Sequence, residues 1–334
     1  MPFVVHAPGR VNLIGEHTDY TGGLALPMAI SRGTTLTATA EVGRIELTSD
    51  DAPGTVAFDL PFVDDPSEFV PAWGAFVASM ARELNATTGL VGRLTSDIPA
   101  GAGLSSSAAL ECALGVALGF EGTPLELAEV APRAEHAATG VPTGILDQLA
   151  IAAGLEGHAT LIDCHALTTQ AVPMPSDIEV VIKFIAQRTL VGSAYADRVH
   201  ECHRAEELIG PLRLATLDDV ARLDDPLLHR RARHVVSENQ RVRDFSAALD
   251  RADYPERGRL LADGHRSLRE DYDTSTPAMD AAVDDLNATD GVFGARMTGG
   301  GFGGCLVALA EPGVITDGWV VTPTDGARLL ATDA

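Results

Sequence analysis

Residues 7–23 read APGRVNLIGEHTDYTGG, and they place charged, amide and aromatic side chains between two apolar runs that predict β-strands. Glycines recur through the segment, so a long helix is not expected there. A cation, two carboxylates and an imidazole on a glycine-hinged connection suit the lining of a polar ligand pocket, and the alternative is an exposed charged turn. The polar side chains are Arg10, Asn12, Glu16, His17, Asp19 and Tyr20.

The length and the charge of the chain limit the class of protein. A chain of 334 residues is long for a single core, which favours two domains. Its 47 acidic and 24 basic residues give a net charge of −23, and such a surface repels nucleic acid and anionic lipid. The four cysteines are scattered and no apolar run reaches membrane length, so no zinc site, disulfide framework or membrane span is predicted. With no targeting segment at the N-terminus, we expect a cytoplasmic protein.

Lysine is almost absent from this sequence. Lys183 is the single lysine, and it lies in the apolar run VVIKFIAQ with no glycine loop before it. A phosphate-binding lysine of the Walker type is therefore not expected. Any phosphate chemistry must use backbone amides, arginine and a metal ion.

The order of predicted elements indicates an α+β protein with two domains and a cleft between them. Short alternating segments at the start predict strands, and a helix is expected over residues 71–86, starting at its first proline. Pro132 is expected to start a new helical segment, because proline does not fit a helix interior. VPMPSD, residues 172–177, is typical of a hinge, and EVVIKFIAQ, residues 179–187, predicts a buried strand. The predicted domains are residues 1–173 and 174–334.

A glycine- and serine-rich loop suits phosphate binding. The run PAGAGLSSSAA, residues 99–109, leads directly into an apolar helix. Its serines, Ser105, Ser106 and Ser107, then lie near a helix N-terminus, where free amides attract anions. The alternative is an ordinary serine cap on a core helix.

A second glycine loop, TGGGFGG, covers residues 298–304 and leads into an apolar strand. So many glycines indicate a backbone pressed against another segment, or a set of turns with positive φ. The alternative is a flexible hairpin.

Two carboxylates near these loops are candidates for chemistry. Asp147 follows Gly144 and begins an apolar helix, where the helix dipole and free amides keep a carboxylate ionised. That suits a residue that accepts a proton or orients a hydroxyl, although helix-start aspartates are common. Glu135 lies on the preceding predicted helix and could reach a metal beside the serine loop; the alternative is a solvated helix face.

Together these segments resemble the galactokinase family of the GHMP small-molecule kinases. GRVNLIGEHTDYTGG is similar to the family's sugar signature, PAGAGLSSSAALE to the superfamily phosphate loop, and RMTGGGFGGCLVAL to the third motif. Further similar segments, in family order, extend the resemblance over about residues 3–310. The resemblance implies a GHMP kinase fold with a ribosomal protein S5 domain 2-like N-terminal domain, a ferredoxin-like C-terminal domain and the active site in the cleft.

The resemblance also implies a reaction, which is transfer of the ATP γ-phosphate to the C1 hydroxyl of D-galactose, with Mg²⁺ as cofactor. Asp147 would be the catalytic aspartate, and Arg10 would stabilise the phosphoryl group. The sugar would be bound by Glu16, His17, Asp19, Gly144, Asp147 and Tyr195. ATP would be held by Trp73, Gly101, Gly103, Leu104, Ser105, Ser106 and Ser107, and Mg²⁺ by Ser107 and Glu135. The partners would be a small-molecule sugar and ATP, and the chain is expected to be a monomer.

The sequence departs from the family pattern beside the catalytic aspartate. The usual Cys-Gly-x-Met-Asp-Gln reads TGILDQ at residues 143–148, which changes size but not charge. Sugar specificity is therefore open, and a related GHMP kinase for arabinose or N-acetylgalactosamine is an alternative. A non-catalytic sugar sensor of the same fold is another alternative, but it would be expected to lose the SSSAA loop or Asp147, and both are present.

Overall fold

We describe a computed structural model of the chain, which covers residues 1–99, 101–140, 144–187 and 192–332. Its strands are β1 Pro2–Ile14, β2 Leu24–Val42, β3 Arg44–Ser49, β4 Thr55–Asp59, β5 Thr88–Ser96, β6 His158–Asp163, β7 Thr168–Pro173, β8 Glu179–Ala186, β9 Val292–Thr298, β10 Gly304–Ala310, β11 Trp319–Val321 and β12 Arg328–Thr332. Its α-helices are α1 Gly74–Glu83, α2 Ser106–Ala117, α3 Pro124–Thr139, α4 Leu146–Ala152, α5 Gly192–Ile209, α6 Leu217–Val220, α7 Pro226–Asp250, α8 Tyr254–Glu270 and α9 Pro277–Asn287. The α+β prediction is confirmed.

The strands form two sheets. The larger sheet has the order β12-β1-β2-β5-β3-β4, with β6 pairing to β2 and β7 pairing to β6. Its pairs are antiparallel except β3 with β5. The smaller sheet has the order β11-β8-β10-β9 and is antiparallel throughout. The end of the chain returns to the beginning, since β12 pairs with β1, so the larger sheet contains residues from both predicted domains.

The main apolar core lies between the two sheets. It joins Val11 of β1 and Ala109 of α2 to Val307 of β10 and Phe245 of α7, all of them buried. Because this core is shared, the phosphate loop before α2 is held against the β9–β10 hairpin. The predicted domain boundary after residue 173 stays a prediction.

Two helix predictions need correction. Helix α1 begins at Gly74 instead of Pro71, because the amides of Gly74 and Ala75 donate three residues back and form a tighter turn there. Helix α3 runs through Pro132 without a break, against the prediction of a new segment. A capping box at Thr123 starts it and buried small side chains hold it in place, so tertiary packing overrides the unfavourable proline.

Strand β8, the cysteines and the membrane criterion can also be compared with the sequence. Strand β8 forms where it was predicted, but only residues 180–182 are buried, and Phe184 is 43% exposed. Lys183 in this strand forms an ion pair with Asp317 at 2.7 Å. All four cysteines are free. Within the ranges described above, no helix combines the length and the apolar character needed to cross a membrane.

Candidate active site

The serine loop leads into helix α2 as predicted, but its first serine does not cap the helix. Ser105 has a left-handed backbone with φ of 62° and makes no side-chain cap bond, and its hydroxyl donates to Asp147 instead. The amides at the start of α2 are therefore not covered by the Ser105 side chain. Gly101 and Gly103 also have positive φ, and a Cβ on Gly103 would meet only open space. This geometry fits an anion cradle better than the alternative of a serine-capped core helix.

Arg10 and Asp147 form the centre of the site. Arg10 lies in β1, and its Nε and Nη2 atoms donate to the two carboxylate oxygens of Asp147 at 2.7 and 2.6 Å. Its Nη1 donates to the carbonyl of Gly103 at 2.7 Å. Asp147 lies in the first turn of α4, as predicted, and its side chain is 34% exposed. Through these hydrogen bonds, Arg10 of the sugar signature is joined to Asp147 of α4 and to the glycine- and serine-rich loop.

Ser107 and Glu135, the predicted metal ligands, are in direct contact. The Ser107 hydroxyl donates to Glu135 Oε1 at 2.9 Å. The side-chain amide of Gln148 donates to Glu135 Oε2 at 2.9 Å and to the buried Glu111 at 3.2 Å. Burial is the main reason that the pKa of Glu111 lies well above its usual value, and the charge of Glu135 adds to the effect. No group of three or more His, Cys, Asp or Glu side chains suited to a metal occurs in the part of the chain that the structure describes.

Glu16 lies in a fully buried charge cluster. Its carboxylate pairs with Arg296 of β9, and Arg296 also contacts Glu238 of α7 at 2.8 Å. Glu238 has a second cation, Arg241, at 2.7 Å. Burial raises the pKa of Glu16 to about 7, against the opposing charge of Arg296, whereas the two arginines hold the pKa of Glu238 far below its usual value. Of the two carboxylic acids that contact Arg296, Glu16 is thus the weaker acid and the one that is more readily protonated.

Asp19 lies beside Gly144 and Asp147. A Cβ on Gly144 would collide with an Asp19 carboxylate oxygen, so only glycine leaves that carboxylate in its place. Burial raises the pKa of Asp19 to about 6, and the charge of Asp147 contributes to that rise. The predicted sugar residues Asp19 and Gly144 and the predicted catalytic residue are therefore neighbours.

His17 lies among tyrosine rings. Its ring centroid is 4.8 Å from that of Tyr272 and 5.6 Å from that of Tyr195, and its Nδ1 is 3.1 Å from the Tyr20 hydroxyl. Its backbone is left-handed, with φ of 62°, which is unfavourable for a residue with a side chain. Such strain is common at ligand sites. Tyr195 was predicted for this site, and Tyr272 was not.

The second glycine loop lies next to the first. A Cβ on Gly299 or Gly304 would lie 3.5 Å from the carbonyl of Gly103 or Ala102, respectively. Both glycines have positive φ, with values of 80° and 93°. The loop between β9 and β10 thus lies beside the phosphate loop, and its glycines confirm the predicted set of turns with positive φ.

Two predicted nucleotide residues have other partners in this structure. Leu104 is buried in the main core, and its carbonyl accepts from the Arg10 amide at 3.2 Å. Trp73 caps α1, and its indole N–H donates to the Pro53 carbonyl at 3.2 Å. No hydrogen bond between Trp73 and the serine loop is found among the described residues. Thr143 of the altered TGILDQ segment lies outside the described residues.

Several residues that support the predicted site were not predicted from the sequence. Arg296 lies two residues before the second glycine loop, and its position in RMTGGG was the one available signal. Gln148 ends the TGILDQ segment, but nothing local indicates that it bridges Glu135 and Glu111. Glu238 and Tyr272 act through contacts that only the fold creates. Their roles follow from the buried ion pair, the bridging amide and the ring packing.

Comparison with known proteins shows which family the chain is similar to. The galactokinase galactose-binding signature matches residues 1–40, and the N- and C-terminal domains of GHMP kinases match residues 72–155 and 245–315. Galactokinases of Bos taurus and Homo sapiens are 42% and 41% identical over 326 residues, which is 92% of this chain and 83% of theirs. Lactococcus lactis galactokinase complexed with galactose superposes with a TM-score of 0.91 and 32% identity, over 98% of this chain and 95% of that one.

A more distant match shows the fold alone. A mevalonate kinase superposes with a TM-score of 0.67 at 21% identity, over 92% of this chain and 91% of that one. The galactose-binding signature, by contrast, is specific, and it contains Arg10, Glu16, His17 and Asp19. The chain belongs to the galactokinase family of the GHMP kinases.

Proposed function

We propose that this protein transfers the γ-phosphate of ATP to the C1 hydroxyl of D-galactose, giving galactose 1-phosphate and ADP. One observation carries the proposal: Asp147 is hydrogen-bonded to Ser105 of the phosphate loop and to Arg10 of the sugar signature. The carboxylate therefore lies where the two substrates would meet. The identity of the sugar rests on the signature and on the galactokinase relatives.

Most of the acceptor capacity of Asp147 is already in use. A carboxylate has about four acceptor sites, and Arg10 and Ser105 fill three of them in this structure. About one remains for a sugar hydroxyl. Since phosphoryl transfer has a loose transition state, a group that aligns the C1 hydroxyl and takes its proton late meets the need. We infer that Asp147 orients the hydroxyl first and accepts its proton as the new P–O bond forms.

The phosphates would be held without lysine. The amides at the start of α2 and the positive end of its dipole would bind the phosphate oxygens, and Arg10 would add a positive charge beside them. Lys183 is committed to Asp317 on the smaller sheet, so it does not contribute. Gly101 and Gly103 let the backbone approach closely.

Ser107 and Glu135 fit Mg²⁺ as ligands. A hydroxyl and a carboxylate are the hard oxygen donors this ion prefers, and Mg²⁺ bound with a nucleotide usually needs only one or two carboxylates from the protein. When bound, the ion would supply positive charge to the β- and γ-phosphates. Gln148 holds Glu135 from the other side and so keeps it directed at Ser107.

The sugar would be held by the buried signature. Asp19 and Glu16 would accept hydrogen bonds from hydroxyls, with Gly144 leaving room for the Asp19 carboxylate. His17 and Tyr195 would form the adjoining wall of the sugar site. Residence in the cytoplasm and a monomeric state remain proposals, as do sugar and ATP as the only partners.

The Asp147→Asn variant tests the proposal. Asparagine keeps the shape but removes the proton acceptor, so turnover should fall about 10²–10⁴-fold while the fold survives. Asp317→Asn, which removes a carboxylate that pairs with Lys183 and not with the site residues named above, should leave turnover unchanged. A coupled ADP assay with galactose, arabinose, glucose and N-acetylgalactosamine fixes the sugar. Near-parent turnover in Asp147→Asn would contradict the assigned role, and a clear preference for another sugar would contradict the proposed substrate.

A further inference from the structure

A chain of hydrogen bonds runs from His17 into the protein interior. His17 Nδ1 lies 3.1 Å from the Tyr20 hydroxyl, which lies 2.6 Å from the Tyr272 hydroxyl. The Tyr272 hydroxyl in turn lies 3.0 Å from the sulfur of Cys202, which is fully buried. Tyr20 belongs to the sugar signature, whereas Cys202 lies in α5 and Tyr272 follows α8. The sugar signature, α5 and the segment after α8 are therefore connected by hydrogen bonds next to the His17 ring.

The ring of His17 is held in place from several sides. Tyr272, Tyr195 and Tyr20 lie with ring centroids 4.8, 5.6 and 6.0 Å from it. His17 is 5% exposed, and its left-handed backbone is kept by this packing. With the ring fixed, the open question is which ring nitrogen carries the proton.

The protons along the chain can be counted. Burial raises the pKa of Tyr20 and of Tyr272 well above the usual value for a phenol, and it raises the pKa of Cys202 to about 12. Each of these groups therefore keeps its single proton at neutral pH. All the protons must then point either towards His17 or towards Cys202, since a hydroxyl donates only one.

The chemistry of the two ends favours one direction. A thiol is a weak donor and a weak acceptor, so the bond at Cys202 differs little between the two directions. At the other end, a phenol donating to an imidazole nitrogen pairs the more acidic donor with the more basic acceptor. We propose that Tyr20, Tyr272 and Cys202 fix His17 in the tautomer with its proton on Nε2, so that His17 donates a hydrogen bond to a hydroxyl oxygen of the sugar.

The site then offers the sugar both hydrogen-bond acceptors and a hydrogen-bond donor, and this step rests on the proposed function. Asp19 and Glu16 can only accept when they are ionised. A sugar hydroxyl can donate to such a carboxylate while it accepts from His17, which strengthens both bonds. A buried site of this kind rejects a sugar that lacks the hydroxyl or misplaces it. Tyr20 and Tyr272 are thus positioning residues that act through His17.

The tautomer can be measured without any substrate. The ¹⁵N chemical shifts of the imidazole nitrogens distinguish the two tautomers, and His17→Gln identifies the His17 signals. At pH 8 the parent should show an unprotonated Nδ1, and Tyr20→Phe should shift the signals towards a mixture of tautomers. Tyr254→Phe is the matched control, because its hydroxyl contacts Asp177 and its ring stacks on Phe293. A protonated Nδ1 in the parent, or unchanged shifts in Tyr20→Phe, would overturn the proposal.

Kinetics give a second readout. Tyr20→Phe should raise the galactose KM about tenfold, or about 1.4 kcal/mol, and leave the ATP KM within about twofold. Tyr272→Phe keeps the ring but lets the Tyr20 hydroxyl turn, so its effect should be in the same direction and smaller. If Tyr20→Phe does not fold, Tyr272→Phe takes its place in the NMR and the kinetic measurements. In that case, ¹⁵N shifts of Tyr272→Phe equal to those of the parent would count against the proposal. If the parent protein does not phosphorylate galactose, the proposed function is refuted. The NMR measurement without substrate tests the His17 tautomer separately from that result.

Discussion

Arg296 is the residue whose removal should be most informative about the buried charges. It is fully buried, and it holds both Glu16 and Glu238. Arg296→Met keeps much of the apolar volume but leaves Glu16 without the arginine that it contacts. Removing one partner of a buried ion pair costs about 3–5 kcal/mol, out of a typical stability of about 5–15 kcal/mol.

The loss should also depend on pH, and Glu16 sets the sign. Its pKa is raised from 4.5 to about 7 in the folded protein. A carboxyl with a raised pKa contributes stability that is fully present below pH 4.5 and is lost as the pH rises through about 7. Ionising Glu16 in the fold therefore costs the parent about 3 kcal/mol by pH 8, from about 2.5 pKa units at 1.36 kcal/mol each.

Without Arg296 the pKa of Glu16 should rise above 7, because the opposing charge is gone. Glu16 is then protonated at pH 6 in both proteins, and its contribution cancels there. Between pH 7 and pH 8 the variant continues to lose stability while the parent has levelled off. The difference in unfolding free energy should therefore be about 1.4 kcal/mol larger at pH 8 than at pH 6.

Urea unfolding followed by circular dichroism at the two pH values measures this difference. Arg296→Lys keeps a positive charge but loses the forked guanidinium group that reaches both carboxylates. Its unfolding free energy should therefore be lower than that of the parent but should depend on pH in nearly the same way. Arg257→Met is the matched control, because this buried arginine donates to the carbonyls of Ala248 and Leu249 and forms no ion pair within 4 Å among the described residues. Equal destabilisation of Arg296→Met at pH 6 and pH 8 would refute the account of Glu16.

Three further predictions concern the substrates. Gly144→Ala should push the Asp19 carboxylate aside, so the galactose KM should rise at least about tenfold with little change in Tm, and an unchanged KM would count against the contact. The kcat/KM for galactose should fall as the pH drops below about 7, first where Glu16 and then, near pH 6, where Asp19 becomes protonated. A pH profile in which Asp19→Asn keeps the part of this limb near pH 6 would assign that part to another group. Gly103→Val should abolish turnover but leave galactose binding measurable by calorimetry. Lys183→Met should keep the ATP KM within a few-fold of the parent value, and loss of activity in a folded Lys183→Met protein would reject phosphate binding without lysine.

Much of the fold and of the catalytic centre can be predicted from the sequence, because the relevant residues occur in local motifs. The serine loop before an apolar helix indicates where α2 begins, and the aspartate after Gly144 indicates the first turn of α4. Helix boundaries are harder. Nothing local indicates that α3 continues through Pro132, since the buried alanines that hold it there are contacts of the folded protein.

The buried partners of the motif residues could not be predicted for a related reason. Glu16 reads as a sugar-binding carboxylate, but nothing near it in sequence indicates that it shares Arg296 with Glu238. These residues are more than 200 positions away along the chain. Residue type and spacing therefore identify the groups of the site, whereas their charge states depend on partners that only the tertiary structure supplies.

Strand β9 links the two substrate regions. Arg296 holds Glu16 of the sugar signature, and two residues later the Thr298 hydroxyl donates to the Asn12 carbonyl at 2.8 Å. The next residue, Gly299, begins the loop that lies beside the carbonyl of Gly103 in the phosphate loop. A displacement of β9 must therefore shift both the sugar signature and the glycine loop beside the phosphate loop. For this reason, Arg296→Met should raise the KM for galactose and the KM for ATP together, whereas Gly144→Ala should affect galactose alone.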